Sequence, residues 1–313
     1  MEYQFAAYTD MGLIKRTNQD SLCVRRSSFG EIGEGILAVV CDGLGGLEKG
    51  EVASAAAITA MERWYDERLP DLPSLCTKDF SDVRQEWLQL LRDLHKQLAD
   101  YAAKANVQMG TTLTAILTMG DRYLTANIGD SRIYERYRSL RQLTQDQSLV
   151  AQEVASGHIT EEQARTHPQR NVLLQCLGMG EEAVPVFTEG RVQGGALYLL
   201  CSDGFVHALS SSEMEERLDI LHLVTREDMN ETLRMIVEEC KHRGEQDNIT
   251  AVLFQAKESP CNTNSESVLR RFINRLQQKP EGKTEPVEAV LLETAQIIHT
   301  QESILENDSF ETH

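Results

Sequence analysis

The sequence predicts an α+β fold built on antiparallel strands, and three observations predict it. Thr111–Met119, Arg122–Asn127, Ser131–Arg136 and Leu140–Leu143 are short strand-like runs joined by tight turns. Such a meander pairs its neighbours antiparallel. Two long segments, Glu51–Leu69 and Phe80–Ala105, carry apolar residues at helical spacing instead. Two apolar runs, Ile36–Cys41 and Ala196–Leu200, lead into Asp-Gly turns, as buried strands bounded by turn residues do.

The elements follow in order. Gln4–Thr9 and Ser21–Arg26 read as strands enclosing the polar turn Gly12–Asp20, which carries Arg16 and Asp20. The run Ile36–Cys41 opens onto Asp42, with Gly43, Gly45 and Gly46 beside it. A carboxylate at the mouth of a buried strand is costly unless it is paired or bound to a cation, and glycine lets backbone approach closely. The same stretch is equally a tight turn with a capping Asp. In the first helix Ala53, Ala56, Ala57, Ala60, Met61 and Trp64 share a face; in the second, after the break at Pro70–Asp79, Trp87, Leu90, Leu91, Leu94 and Leu98 do. Both faces are read as core packing against one side of a sheet.

Gln145–Arg170 is polar and weakly periodic, with Gly157, Pro168, His158 and His167. It reads as a helix followed by a mobile excursion, its histidines at the surface. Val172–Leu177 and Pro185–Val192 are further strand candidates. Ala196–Leu200 repeats the first pattern, running into Cys201-Ser202-Asp203-Gly204. Asp228–His242 reads as a helix facing inward with Leu233, Ile236, Val237 and Cys240, and Asp247-Asn248 then precedes the strand Ile249–Phe254. Beyond residue 256 the composition shifts. Residues 257–286 read as a linker with one short helix, and 287–313 as an acidic tail whose Val287–Leu305 is amphipathic.

Composition bounds the function. The chain has 313 residues, 41% hydrophobic and 26% charged, so a large core is available and global disorder is excluded. A net charge of −18 argues against nucleic-acid binding. The seven cysteines show no CxxC spacing and several lie in apolar runs, so they read as reduced core residues of a cytoplasmic protein. The N-terminus carries no charged leader with an apolar segment, and no apolar run reaches membrane-spanning length.

Asp42, Asp203 and Asp247 thus share one context, the polar end of a strand. If those ends converge, the carboxylates repel one another unless cations neutralise them. An oxygen-only site favours hard ions, Mg²⁺ or Mn²⁺. Arg16-Thr17-Asn18-Gln19-Asp20, Asp42-Gly43-Leu44-Gly45-Gly46, Gly110-Thr111-Thr112, Gly129-Asp130-Ser131-Arg132, Cys201-Ser202-Asp203-Gly204 and Asp247-Asn248 occur in that order. Together they resemble the metal-dependent serine/threonine protein phosphatases of the PP2C (PPM) type, bacterial subtype, over residues 1–256.

The resemblance implies an αββα sandwich, two antiparallel sheets face to face with helix pairs outside. It implies that Asp42 bridges two metal ions, that Asp203 and Asp247 ligate the first, and that the Gly43 carbonyl ligates the second. Asp20 would hold metal waters, Asp130 a third, weaker ion, Arg16 the substrate phosphate, and Asn248 would orient Asp247 or a metal water. A water bridging the two ions would then attack phosphoserine or phosphothreonine in proteins, in a pathway opposing a Ser/Thr kinase. Two departures stand out: Leu44 where many members carry His, and Gln19 where many carry Glu. The alternative is a catalytically weak or inactive PP2C-fold module that binds phosphoproteins. The 287–305 segment is a dangling helix, an autoinhibitory arm or a partner-docking element, and truncation at Lys257 separates these.

Overall fold

A computed structural model describes residues 1–44, 49–72, 75 and 79–257. The proposed linker, its short helix and the acidic tail lie outside the described residues. One sheet contains β1 (Glu2–Asp10), β10 (Ile249–Lys257), β9 (Leu197–Cys201), β6 (Arg132–Arg136) and β7 (Leu140–Gln142), in that spatial order. The other contains β2 (Asp20–Ser28), β3 (Glu34–Asp42), β4 (Leu113–Met119), β5 (Arg122–Ile128) and β8 (Val186–Arg191). Every neighbouring pair is antiparallel.

The central strands β3, β4 and β9 are buried almost throughout because each sheet is covered on both faces, and successive side chains of a strand point to opposite faces. In β3, Ile36, Ala38 and Val40 pack between the sheets, while Leu37, Val39 and Cys41 face outward into helices. In β10, Val252, Phe254 and Ala256 face the other sheet, and Ile249, Ala251 and Leu253 face outward. Tyr198 and Phe254 stack between the sheets with ring centroids 5.0 Å apart.

Helices α1 (Gly50–Glu67) and α2 (Ser81–Ala105) cover the outer face of the β2–β3–β4–β5 sheet. Trp64 and Trp87 meet edge to face, 5.4 Å between centroids. The other sheet is covered by α7 (Arg226–His242) with α5 (Asp203–Val206) and α6 (Ser211–Arg217). The architecture is the αββα sandwich implied by the sequence motifs. A capping box of Thr225 and Asp228 starts α7 two residues before the expected boundary.

Between β7 and β8 the chain forms only α3 (Leu149–Ala155) and α4 (Glu161–Arg165). The expected strand over 172–177 makes isolated bridges alone, Leu173 to Ser148 and Leu177 to Thr111. Val172 and Leu174 are exposed, so this apolar stretch has no sheet face to fill. Among the described residues no helix is long and apolar enough to cross a membrane.

Trp87 is fully buried at the α1–α2 contact. Trp87→Ala is expected to lower unfolding free energy by about 3–5 kcal/mol in urea titration. A loss under ~1 kcal/mol would show that the helix layer is not packed through this ring.

Candidate metal centre

Antiparallel pairing brings five acidic residues to one end of the sandwich. Asp42 closes β3, and the register places Asp20, the first residue of β2, directly opposite it. Asp203 follows β9, Asp247 precedes β10, and Asp130 lies in the turn between β5 and β6. Asp42 keeps some solvent exposure but is densely surrounded. Its carboxyl is held well above the ordinary carboxylate range by burial first, then by the charges of Asp20, Asp203, Asp130 and Asp247. Asp130 is raised in the same way by burial, Asp203 and Asp146, with Arg132 opposing. Burial also pushes Asp20 up to about 7, with Asp203 and Asp247 adding to it and the Thr250 and Ser202 hydroxyls opposing.

Hydroxyls and amides fix the backbone around Asp42 and Asp130 and the carboxylate of Asp20. The Asp42 N–H donates to Thr112 Oγ1 (2.9 Å), and its carbonyl accepts from Thr111 Oγ1 (2.9 Å) and the Thr112 N–H (2.8 Å). Ser202 Oγ donates to Asp20 Oδ2 (2.9 Å). The Gly43 N–H donates to the Gln19 carbonyl at 3.1 Å. A Cβ on Gly43 would collide with the carbonyl oxygens of Gln19 and Gly50, so only glycine lets these segments close around Asp42. Gly12, at φ +78°, lies against the Asp247 carbonyl in the same way. The Asp130 turn is fixed by Gln147, whose Oε1 accepts the Gly129 N–H at 2.9 Å.

The loop before Asp20 and the residue after Asp247 show these contacts. The side-chain cation beside Asp247 is Lys15. Lys15 Nζ lies 2.8 Å from Asp247 Oδ1. Burial works against its charge, but the Asp247 hydrogen bond and the charges of Asp247, Asp42 and Asp203 raise its pKa above the ordinary value. Arg16 is exposed. The two are neighbours on an irregular loop, and the loop's anchoring turns the first inward. Asn248 supplies that anchor: its side chain donates to the carbonyls of Met11 (2.9 Å) and Thr17 (3.2 Å) and accepts the Gln19 N–H (2.8 Å). The Asn248 backbone N–H donates to Asp247 Oδ1 at 2.8 Å.

Among the described residues no three acidic, His or Cys side chains close tightly enough to hold one ion, with Lys15 at Asp247 as the cation present. The donor set nevertheless fits a hard cation. Asp20 Oδ1 and Asp203 Oδ1 are buried without a hydrogen-bond partner, an arrangement costly until a positive charge faces them. The donors are oxygens only, suiting Mg²⁺ or Mn²⁺. Thiols are not competing groups. Cys41 and Cys201 are fully buried, and burial pushes both thiols up, away from the thiolate form.

A cleft of about 1260 Å³ opens beside the carboxylates, and its lining includes Asp130, Asp203, His207, Asp146, Arg165 and Arg170. His158 is exposed, and His167 Nδ1 accepts the Gln169 N–H; neither lines the cleft. Leu44 is half-buried, its N–H donating to the Gly110 carbonyl at 3.0 Å, and Gln19 Nε2 donates to Glu51 Oε2 at 3.3 Å. Sequence reasoning missed Lys15 and the clamping roles of Thr111, Thr112 and Ser202. The signals were the paired cations Lys15-Arg16 and the hydroxyls within the Gly-Thr-Thr and Cys-Ser-Asp motifs.

A family model described as protein phosphatase 2C matches residues 15–253. The serine/threonine phosphatase stp of Listeria innocua is 32% identical over 252 residues, covering 79% of this chain and 93% of its own. The protein phosphatase PhpP of Streptococcus pneumoniae is 30% identical over 265 residues, covering 82% of this chain and 98% of its own. The catalytic domain of the serine/threonine protein phosphatase PstP, solved in complex with two manganese ions, superposes with a TM-score of 0.66 at 30% identity, covering 82% of this chain and 99% of that one.

Repulsion among these carboxylates predicts a sign. Asp42→Asn removes one carboxyl from the cluster and with it the cost of its ionised form, so the metal-free protein should unfold at a higher temperature than the parent. The parent alone should then gain from Mn²⁺, by about 2.7 kcal/mol at a hundredfold excess over Kd. Equal Mn²⁺ shifts in both proteins would contradict the placement of Asp42 at the centre.

Proposed function

Because this chain belongs to the protein phosphatase 2C family, we propose that the carboxylate-ringed end of its sandwich is the active site of a metal-dependent protein serine/threonine phosphatase. The support for the assignment of residues is that antiparallel pairing sets Asp20 opposite Asp42 and that Asp20, Asp130, Asp203 and Asp247 all lie near enough to raise the Asp42 carboxyl. Asp42 would serve two cations, Asp203 and Asp247 the first and the Gly43 carbonyl the second, with Asp130 available to a third. Mn²⁺ or Mg²⁺ held there supplies hydroxide near neutral pH by lowering the pKa of a water.

The chain's own residues do the rest. Lys15 holds a positive charge at the rim of the site and is free to exchange Asp247 for a substrate phosphoryl group, where a point charge offsets the charge growing on the oxygens. Arg16, exposed one residue further on, meets the phosphopeptide at the surface rather than the phosphoryl group. Asp20, held through one oxygen by Ser202, keeps the other for a proton or a water. Asn248 keeps the Lys15 loop docked. Leu44 and its partner Gly110 present an apolar flank with no proton donor.

The substrates are phosphorylated proteins of a Ser/Thr kinase pathway, and the compartment is the cytoplasm, a reading supported by five free cysteines among the described residues. Residues 1–256 form the phosphatase domain, and 287–313 are assigned a regulatory or docking role. The non-catalytic alternative would carry a lost ligand Asp, and none of the three is lost.

Phosphate release from a phosphothreonine peptide tests the assignment. It should require Mn²⁺ or Mg²⁺ and vanish in Asp42→Ala. Lys15→Ala should lower kcat/KM about 10–100-fold, the worth of one charge-assisted hydrogen bond, and Arg16→Ala should change it little. Turnover surviving chelation would overturn the metal mechanism, and the reverse order of the two cation variants would return the phosphate to Arg16.

A further inference from the structure

His207 and Glu245 belong to none of the motifs above, yet they stand between two of the proposed metal ligands. Glu245 is buried. Its Oε1 accepts the backbone N–H groups of Gln246 (2.8 Å) and Asp247 (3.0 Å), fixing the backbone from which Asp247 projects. Its Oε2 faces His207 Nδ1 at 3.7 Å. The other ring nitrogen, Nε2, faces Asp203 Oδ2 at 3.8 Å. His207 lies one helical turn after Asp203, its N–H donating to the Asp203 carbonyl at 3.0 Å. The His207 backbone is therefore held along α5, and its ring lies between two carboxylates at distances longer than hydrogen bonds.

We infer that Glu245 and His207 form a strut that positions the first cation's two ligands, Asp203 and Asp247, relative to each other. The inference rests on the metal-centre assignment above. Asp203 and Asp247 come from segments separated by the whole of α6 and α7, and backbone pairing alone leaves their side-chain rotamers open. With Oδ2 turned to the imidazole, Asp203 keeps Oδ1 buried and unpartnered, ready for a cation. With its own N–H secured by Glu245, Asp247 presents its carboxylate from a fixed base. Groups that orient ligands without touching the ion commonly govern metal affinity about 10–100-fold.

The full chain, stripped of metal, is titrated with Mn²⁺ by calorimetry, and unfolding midpoints are recorded without metal. His207→Ala and the near-isosteric Glu245→Gln should each weaken the tightest Mn²⁺ site about 10–100-fold, and the double variant no further than the worse single one. His207→Gln, which keeps an amide donor near the Nε2 position, should recover part of the loss. Metal-free midpoints should stay near the parent's. Affinities within about twofold of the parent would overturn the strut. So would a loss that merely tracks a fall in metal-free stability, with no recovery in His207→Gln. If His207→Ala does not fold, Glu245→Gln decides alone. A parent protein that binds no Mn²⁺ would instead overturn the metal-centre assignment itself.

Discussion

Mutual repulsion of carboxylates at one end of the sandwich is the constraint on which the rest of this structure turns. Two unit charges 4 Å apart repel by about 4 kcal/mol at an effective dielectric of 20. Asp42 feels four acidic neighbours. A fold that left such a cluster uncompensated would open there first. The surrounding structure supplies rigidity instead: threonine hydroxyls on the Asp42 backbone, a serine on Asp20, a glycine at position 43 that no larger residue can replace. Charge is left to a cation, and the Lys15 ammonium at Asp247 indicates where positive charge is wanted.

The two-sheet architecture makes that cluster possible. Each central strand is apolar on both faces because helices cover the outer face and the opposite sheet covers the inner. Polar groups are thereby driven to the strand ends, and antiparallel pairing returns those ends to the same edge. The core and the site are one consequence of one pattern: apolar runs in register, with acidic residues at or just beyond the ends that meet.

The central elements were legible because they are periodic. The helical faces of α1, α2 and α7 and the apolar strands lie where their spacing placed them. Short elements were not. The helix α6 rests on a Ser210–Glu213 capping box, a signal present in the residues but too local to stand out. The stretch over 172–177 has strand composition and no strand, because no neighbouring backbone pairs with it beyond single bridges. In the site, Asp42, Asp203 and Asp247 could be found because each ends or begins an apolar run. Lys15 could not be told from Arg16, since the choice depends on Asn248 and Gly12, far and near along the chain, docking one loop. His207 and Glu245 carry no pattern at all; only the folded chain brings them between Asp203 and Asp247.

Diffraction from crystals soaked in Mn²⁺, recorded for anomalous scattering, tests the central claim most directly. The account predicts two strong peaks sharing the Asp42 carboxylate, one of them also against Asp203 and Asp247, with Lys15 displaced from Asp247. Peaks elsewhere on this acidic surface, or none beside Asp42, would contradict it.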